Sequence, residues 1–200
     1  MGRATTTESM VPSVRTLADW SAMPEDDPGE LIDGRLVEEE VPDGVHELLV
    51  ALLIRILGNW VFPLGGVVLG SDAKLGLSPE RGRKPDLSVY LPGRRMPPRR
   101  GLIRVPPDIA VEVVSPTPRD GRRDRVEKVE DYARFGIRYY WIVDPELRSL
   151  EVLELGADGR YARALGAAAG PTVSVPGCDV LTLDLDSLWA EIDRLPSEDD

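Results

Sequence analysis

The sequence predicts an α/β fold in which a mixed central sheet is flanked by helices, preceded by an N-terminal hairpin and helix. The main observation is a strongly apolar strand at 108–115, followed by helical spacing at 119–135 and a second apolar strand at 138–143. Two strands joined through a helix should run parallel with a right-handed crossover. The second observation is an amphipathic pattern over 43–60, where apolar residues recur every three or four positions.

Turn signals separate the predicted elements in the first half of the chain. A short helix is predicted over 14–23 and a turn over 24–29. Asp33 and Gly34 stand between two short apolar runs, which indicates a two-residue hairpin, because a type I′ turn needs positive φ at both central residues. Asp43 is placed to cap the amphipathic helix.

The remaining elements follow from strand patterns and helix boundaries. A strand or strand pair is predicted over 65–77, and a short strand over 86–91. Residues 92–107 hold five prolines and predict a loop, because proline cannot donate to a sheet. Gly136 is predicted to end the 119–135 helix. The predicted domain ends with a meander at 149–164, a last strand at 180–183 and a final helix at 186–194. We expect one domain over 14–195, between a flexible tail at 1–13 and an acidic tail at 196–200.

Composition and charge exclude several classes of function. The 200 residues carry a net charge of -11, which argues against a general nucleic-acid binder, because phosphate contacts need cations. One cysteine, Cys178, and one histidine, His46, exclude an internal disulfide and make a histidine or cysteine zinc site or a Cys-His nucleophile a poor hypothesis. No run of about 18 apolar residues is visible and no secretory signal appears, so we expect no membrane span and a cytoplasmic location.

The charge is distributed unevenly along the chain. Residues 81–128 hold 13 basic and six acidic residues, and the basic excess favours a surface that faces an anion. Pairing of these arginines with the acidic remainder explains the same distribution. Only three of the 24 cations are lysines, namely Lys74, Lys84 and Lys128, so each lysine is informative.

Three ionisable residues occupy positions where a charge is costly or unusual. Asp86 opens a strand after Pro85, and Glu112 lies in the middle of the most apolar strand, where a carboxylate must be paired or bound to a metal. Two carboxylates on neighbouring strands can bind Mg²⁺ or Mn²⁺ through oxygen ligands. Lys128 follows on the next helix, where an ammonium group could stabilise negative charge on a phosphate.

These residues carry a resemblance to a known family. Lys84-Pro85-Asp86 followed by Val111-Glu112-Val113 resembles the motif of the PD-(D/E)xK nuclease superfamily, except that Val114 occupies the usual lysine position. In one branch this lysine stands on the following helix, as Lys128 does here. The wider order, from ELIDGRLVEEE through a helix with a histidine, KPDLSVYL, PPDIAVEVVSPTPRD and RDRVEKVEDYARFG, is similar to the restriction endonuclease family of the Uma-two type over roughly 30–155.

The resemblance implies a restriction-endonuclease-like core, often in a homodimer, and a role for each matching residue. Asp86 and Glu112 would bind the metal ion, Mg²⁺ or Mn²⁺, with the Val113 carbonyl as a third ligand and Glu38 or Glu39 as a further acid. Lys128 would be the relocated catalytic lysine. Asp124 would hold this lysine or cap its helix, and His46 would line the site.

Each of these residues also has a simpler structural explanation. Glu112 could pair with an arginine, Asp86 could cap a turn, and Lys128 could be a solvated partner of Asp124. Two hypotheses for the whole chain follow. The first is a metal-dependent endonuclease that grips DNA through the arginines from Arg94 to Arg104 and from Arg119 to Arg125. The second is a catalytically inactive nuclease-like module that binds nucleic acid or a protein, which Val114 and the net charge favour.

Overall fold

The computed structural model describes residues 15–24, 29–37, 42–116, 121–170 and 173–196. The predicted tail at 1–13 lies outside these residues, as do 197–200 of the predicted acidic tail. In chain order the elements are α1 (Leu17–Ser21), β1 (Glu30–Ile32), β2 (Arg35–Val37), α2 (Gly44–Val61), β3 (Val67–Leu69), β4 (Leu75–Ser78), β5 (Arg81–Arg83), β6 (Leu87–Tyr90), β7 (Ile109–Val113), a π-helical turn (Arg123–Glu127), α3 (Lys128–Phe135), β8 (Tyr139–Asp144), β9 (Ser149–Leu155), β10 (Tyr161–Ala167), β11 (Val173–Ser174), β12 (Thr182–Leu183) and α4 (Leu185–Ile192).

A six-stranded mixed sheet with the order β10-β9-β8-β7-β6-β3 forms the centre of the fold. Strands β7 and β8 run parallel and are joined through the π-helical turn and α3, while the other neighbours in this sheet are antiparallel. This arrangement confirms the predicted strand-helix-strand unit and the mixed α/β architecture. Gly136 ends α3 with φ of 90°, in the left-handed conformation that glycine adopts most easily.

The two faces of this sheet pack against different helices, because successive strand residues point to opposite sides. One face, which includes Val111 and Trp141, packs against the buried side of α2 and against α4. The other face, which includes Ala110 and Tyr140, packs against Tyr132 of α3. Glu112 shares this second face with Ala110, and therefore lies under α3.

A smaller four-stranded sheet with the order β2-β1-β5-β4 contains the N-terminal hairpin. Asp33 and Gly34 have φ of 49° and 72°, which confirms the predicted turn. Helix α1 packs Trp20 on Gly82 of β5, where a side chain would collide with the indole ring. Thr16 caps α1 and closes a reciprocal capping box with Asp19, so this helix is shorter than the predicted 14–23.

Helix α2 begins after Asp43, whose side chain accepts a hydrogen bond from the backbone N–H of His46 at 2.8 Å, as a helix cap should. By length and composition alone, the segment Gly44–Leu64 is apolar enough to cross a membrane, so the expectation that no such segment exists is wrong by this criterion. In this fold the helix contributes Leu49, Leu53 and Leu57 to the core on the sheet.

Candidate active site

Two neighbouring strands place the predicted carboxylates side by side. In the antiparallel register Leu87 pairs with Val111, so the preceding Asp86 lies across from Glu112. The backbone N–H of Val113 donates to Oδ2 of Asp86 at 2.7 Å, which fixes the Asp86 side chain against β7. Glu112 is almost fully buried, whereas the Asp86 side chain retains partial exposure to solvent.

The helical segment above these strands supplies the predicted lysine. Lys128 Nζ lies 2.8 Å from Glu112 Oε2 and 3.1 Å from Asp124 Oδ1. The Tyr132 hydroxyl donates to the other oxygen of Glu112. Asp124, Lys128 and Tyr132 follow one another at intervals of four, which puts them on the same face of the segment. All three are buried, so the simpler explanation of Lys128 as a solvated surface partner is wrong.

His46 approaches the same centre from the first turn of α2. Its Nε2 lies 3.3 Å from Asp86 Oδ2. Its Nδ1 is buried without a hydrogen bond among the described residues and lies 3.8 Å from Glu47 Oε1. The structure therefore brings His46, Asp86, Glu112, Asp124 and Lys128 together. Glu39, with its neighbour Glu38, lies outside the described residues.

Sequence reasoning missed a second carboxylate network beneath this centre. Glu30 of β1 is buried, and its two oxygens accept hydrogen bonds from the Lys84 backbone at 2.9 Å and from the Arg83 guanidinium at 2.6 Å. Arg83 also donates twice to Asp131 of α3, at 2.8 and 2.6 Å. Glu30 is the first residue of the ELID run of the hairpin. Its position before an apolar pair was the one feature of the sequence that could have indicated a buried carboxylate.

The charges of the centre influence one another strongly. Burial raises the pKa of Glu112, Lys128 opposes this shift, and nearby Asp86 and Asp124 add to it, so the Glu112 pKa lies well above its usual range. Burial likewise raises the pKa of Asp124, although Lys128 works against it. For Lys128, burial opposes the charged form, but Glu112 and Asp124 outweigh burial and raise its pKa well above the usual range. The centre therefore combines a cationic lysine with a surplus of acidic groups.

The pKa of His46, the single histidine, can be measured directly and reports on the charges of this centre. Burial disfavours the charged imidazole, but the hydrogen bond with Asp86 and its charge outweigh burial and raise the His46 pKa above 6.5. The resulting stabilisation is fully present below pH 6.5 and is lost as the pH rises through the pKa of the folded protein. We expect an NMR titration of the untagged protein to show this raised pKa, and Asp86→Asn to lower it.

The titration has a matched control on the same helix. Glu47→Gln removes a weaker and more exposed contact of His46, so the pKa should fall less than in Asp86→Asn. A His46 pKa at or below 6.5 in the unaltered protein would contradict the contact with Asp86.

The donors at this centre fit a hard divalent cation. Asp86 and Glu112 offer carboxylate oxygens, and Mg²⁺ is usually held by one or two carboxylates together with water and substrate phosphates. Although several acidic residues are close together here, no group of three or more histidine, cysteine, aspartate or glutamate side chains in the described part of the chain is arranged to hold a metal ion by itself. A role for the Val113 carbonyl as a ligand stays a prediction.

The predicted DNA-gripping arginines differ in their surroundings. Arg95, Arg99, Arg100 and Arg104 are exposed, and Arg94 is largely exposed at 3.7 Å from Asp108. In the second group, Arg119 lies outside the described residues and Arg122 is exposed. The prediction is wrong for Arg123, which is buried. It is also unsupported for Arg125, whose guanidinium lies 2.8 Å from Asp144 and 3.5 Å from Glu151.

Comparisons with known proteins agree with this arrangement. The model of the Uma2 family, described as "Putative restriction endonuclease", matches residues 15–186. The crystal structure of a putative nuclease belonging to DUF820 from Anabaena variabilis ATCC 29413 has a TM-score of 0.72 at 19% identity, over 88% of this chain and 98% of that chain, which shows a shared fold. No curated protein matches the chain. Because the family model matches most of the sequence, the chain belongs to the Uma2 family.

Proposed function

We propose that this protein is a metal-dependent endonuclease that hydrolyses phosphodiester bonds of DNA. Membership of the Uma2 family supports a nuclease function in general terms. One observation carries the specific proposal, namely the buried Glu112, paired with Lys128 at 2.8 Å and placed beside Asp86 on the neighbouring strand. A structural salt bridge alone would not require a second carboxylate at this position.

Asp86 and Glu112 are the residues that would hold the metal ion. Both oxygens of Glu112 accept hydrogen bonds, but a carboxylate has about four acceptor positions and retains capacity for a cation. A bound Mg²⁺ or Mn²⁺ would lower the pKa of a water molecule and neutralise charge on the phosphate under attack. Burial is the main cause of the raised pKa of Glu112, and a divalent cation would offset both this burial and the repulsion from Asp86 and Asp124.

Lys128 acts as a cation in this proposal. Its pKa lies well above the usual range, so the ammonium group stays protonated near neutral pH and cannot accept a proton from water. It can donate hydrogen bonds and stabilise negative charge on the phosphate. Asp124 also holds the ammonium group, at 3.1 Å, and the Tyr132 hydroxyl donates to the second oxygen of Glu112.

The proposal includes a surface for the DNA backbone. The exposed arginines of the 92–107 loop are available to contact phosphates, since those described there have at most the distant contact of Arg94 with Asp108. The homodimer implied by the resemblance is part of the proposal as well, and sedimentation of the purified protein measures it.

Cleavage of labelled DNA tests the proposed function. We expect fragments from single-stranded or duplex oligonucleotides in Mg²⁺ or Mn²⁺, and none in EDTA. Asp86→Asn should abolish them, because it removes a proposed metal ligand, whereas Asp158→Asn in the exposed β9–β10 turn should not. Equal cleavage by Asp86→Asn would contradict the assignment. DNA retention without cleavage in any metal would favour the inactive binding module.

A further inference from the structure

A groove of about 740 Å³ is lined in part by helix α2, the helix that carries His46, and has no role in the chemistry described above. It is lined by α2 from Glu47 to Ile54, by the end of α1, by the β3–β4 connection and by residues 98–103 of the proline-rich loop. Its apolar lining includes Val50, Ala51, Ile54, Leu69 and Leu102. The volume falls within the range of small-molecule sites, roughly 300–1,000 Å³.

Hydrogen bonds hold the walls of this groove in place. The backbone of Ile103 donates to the Lys74 carbonyl at 2.9 Å and accepts from the Gly76 N–H at 2.8 Å, which attaches the proline-rich loop to β4. The buried ammonium of Lys74 donates to the carbonyls of Trp20 and Met23, which attaches the end of α1. These hydrogen bonds therefore fix the positions of the segments that line the groove.

The charges at the groove fit a nucleic acid strand. Arg99 and Arg100 line the groove and are exposed, and with Lys74 they outnumber the two acidic residues of the lining, Glu47 and Asp72. A cationic side next to apolar residues suits a nucleotide, whose phosphate is charged and whose base has an apolar face. The groove and the centre share helix α2: Glu47 lines the groove, and the preceding His46 lies 3.3 Å from Asp86.

We propose that this groove binds unpaired nucleotides of the DNA strand that is cut, with a base against Ala51 and Ile54 and its phosphate at Arg99 and Arg100. This inference rests on the proposed nuclease function and names its substrate class. A base inside a duplex cannot enter the groove without leaving its stack, which costs free energy. The protein should therefore prefer single-stranded DNA or duplexes with unpaired segments.

Fluorescence anisotropy in Ca²⁺, in place of Mg²⁺ or Mn²⁺, measures binding separately from cleavage. The probes are a labelled single-stranded oligonucleotide and a blunt hairpin of the same length. Ala51→Trp fills the groove from an exposed helix position, and we expect it to weaken single-strand binding by about tenfold. The matched control is Asn59→Trp, which adds the same side chain at an exposed position of α2 outside the groove.

A second pair of variants separates the groove from general charge. Replacing Arg99 and Arg100 together by glutamine should weaken single-strand binding more than the same change at Arg94 and Arg95, which lie on the same loop outside the groove. Equal effects of the two pairs would overturn the proposal. So would tighter binding of the blunt hairpin than of the single strand.

The outcomes distinguish this inference from the proposed function. The groove proposal is overturned if Ala51→Trp leaves metal-dependent cleavage unchanged and both tryptophan variants bind single strands equally well. The proposed nuclease function would stand in that case. Selective loss of single-strand binding in Ala51→Trp supports the groove, even if no metal supports cleavage.

Discussion

Replacing Glu112 by glutamine is expected to reduce the rate of DNA cleavage by on the order of 10²–10³-fold, the usual cost of removing one preorganised electrostatic group from an active site. The amide keeps the shape of the side chain but loses the negative charge that would bind the metal ion. Lys128 keeps its ion pair with Asp124, at 3.1 Å. Single-turnover cleavage at saturating metal concentration measures this effect.

Glu130→Gln is the matched control for this prediction. Glu130 lies on α3 with Lys128, but its side chain is 70% exposed and pairs with the exposed Arg134. Its variant should cleave at the rate of the unaltered protein, because an exposed pair contributes little. The assignment of Glu112 fails if the two glutamine variants cleave DNA equally fast while both remain folded.

Arg83→Met should lower the free energy of unfolding by roughly 3–5 kcal/mol, because removing one member of a buried ion-pair network leaves uncompensated charges. Arg83 is fully buried between Glu30 and Asp131, and methionine fills part of its volume without a charge. Urea denaturation near neutral pH measures the difference. Arg134→Met, at a 71% exposed position of the same residue type, should cost about 1 kcal/mol or less.

The cost of Arg83→Met should depend on pH. Burial opposes ionisation of Glu30, but Lys128 and Arg83 outweigh it and lower the Glu30 pKa below 4.5. The stability linked to this shift is present above pH 4.5 and is lost as the pH falls through the folded-state value. The difference between Arg83→Met and the unaltered protein should therefore narrow in acid. If Arg83→Met and Arg134→Met lower the free energy of unfolding equally at neutral pH, the ion-pair network of Arg83 contributes no stability.

The elements that were predicted correctly depend on local chemistry. The Asp33–Gly34 turn needs positive φ, α2 has a capping aspartate and a regular apolar side, and α3 ends at Gly136. Sheet membership could not be predicted, because it depends on residues far apart in the chain. Strands β3 and β4 were expected as a strand or a pair, yet they belong to different sheets. Strand β5 has the sequence RGR and no apolar alternation to indicate a strand.

The candidate site was predictable where motif spacing carries the chemistry. Asp86, Glu112 and Lys128 were selected because each is a costly or scarce residue at its position, and the fold brings them together. Glu30 could not be selected in the same way. Its burial is compensated by Arg83, 53 residues later, and only the pairing of β1 with β5 brings the two together.

The central claim is that Asp86 and Glu112 bind a divalent cation, and Mn²⁺ binding tests it most directly, since it does not depend on the choice of DNA substrate. Electron paramagnetic resonance of free Mn²⁺ measures binding to the unaltered protein and to a variant carrying both Asp86→Asn and Glu112→Gln. We predict millimolar or tighter binding by the unaltered protein and its loss in the folded double variant. Equal binding by the two proteins, or none by either, would contradict the account.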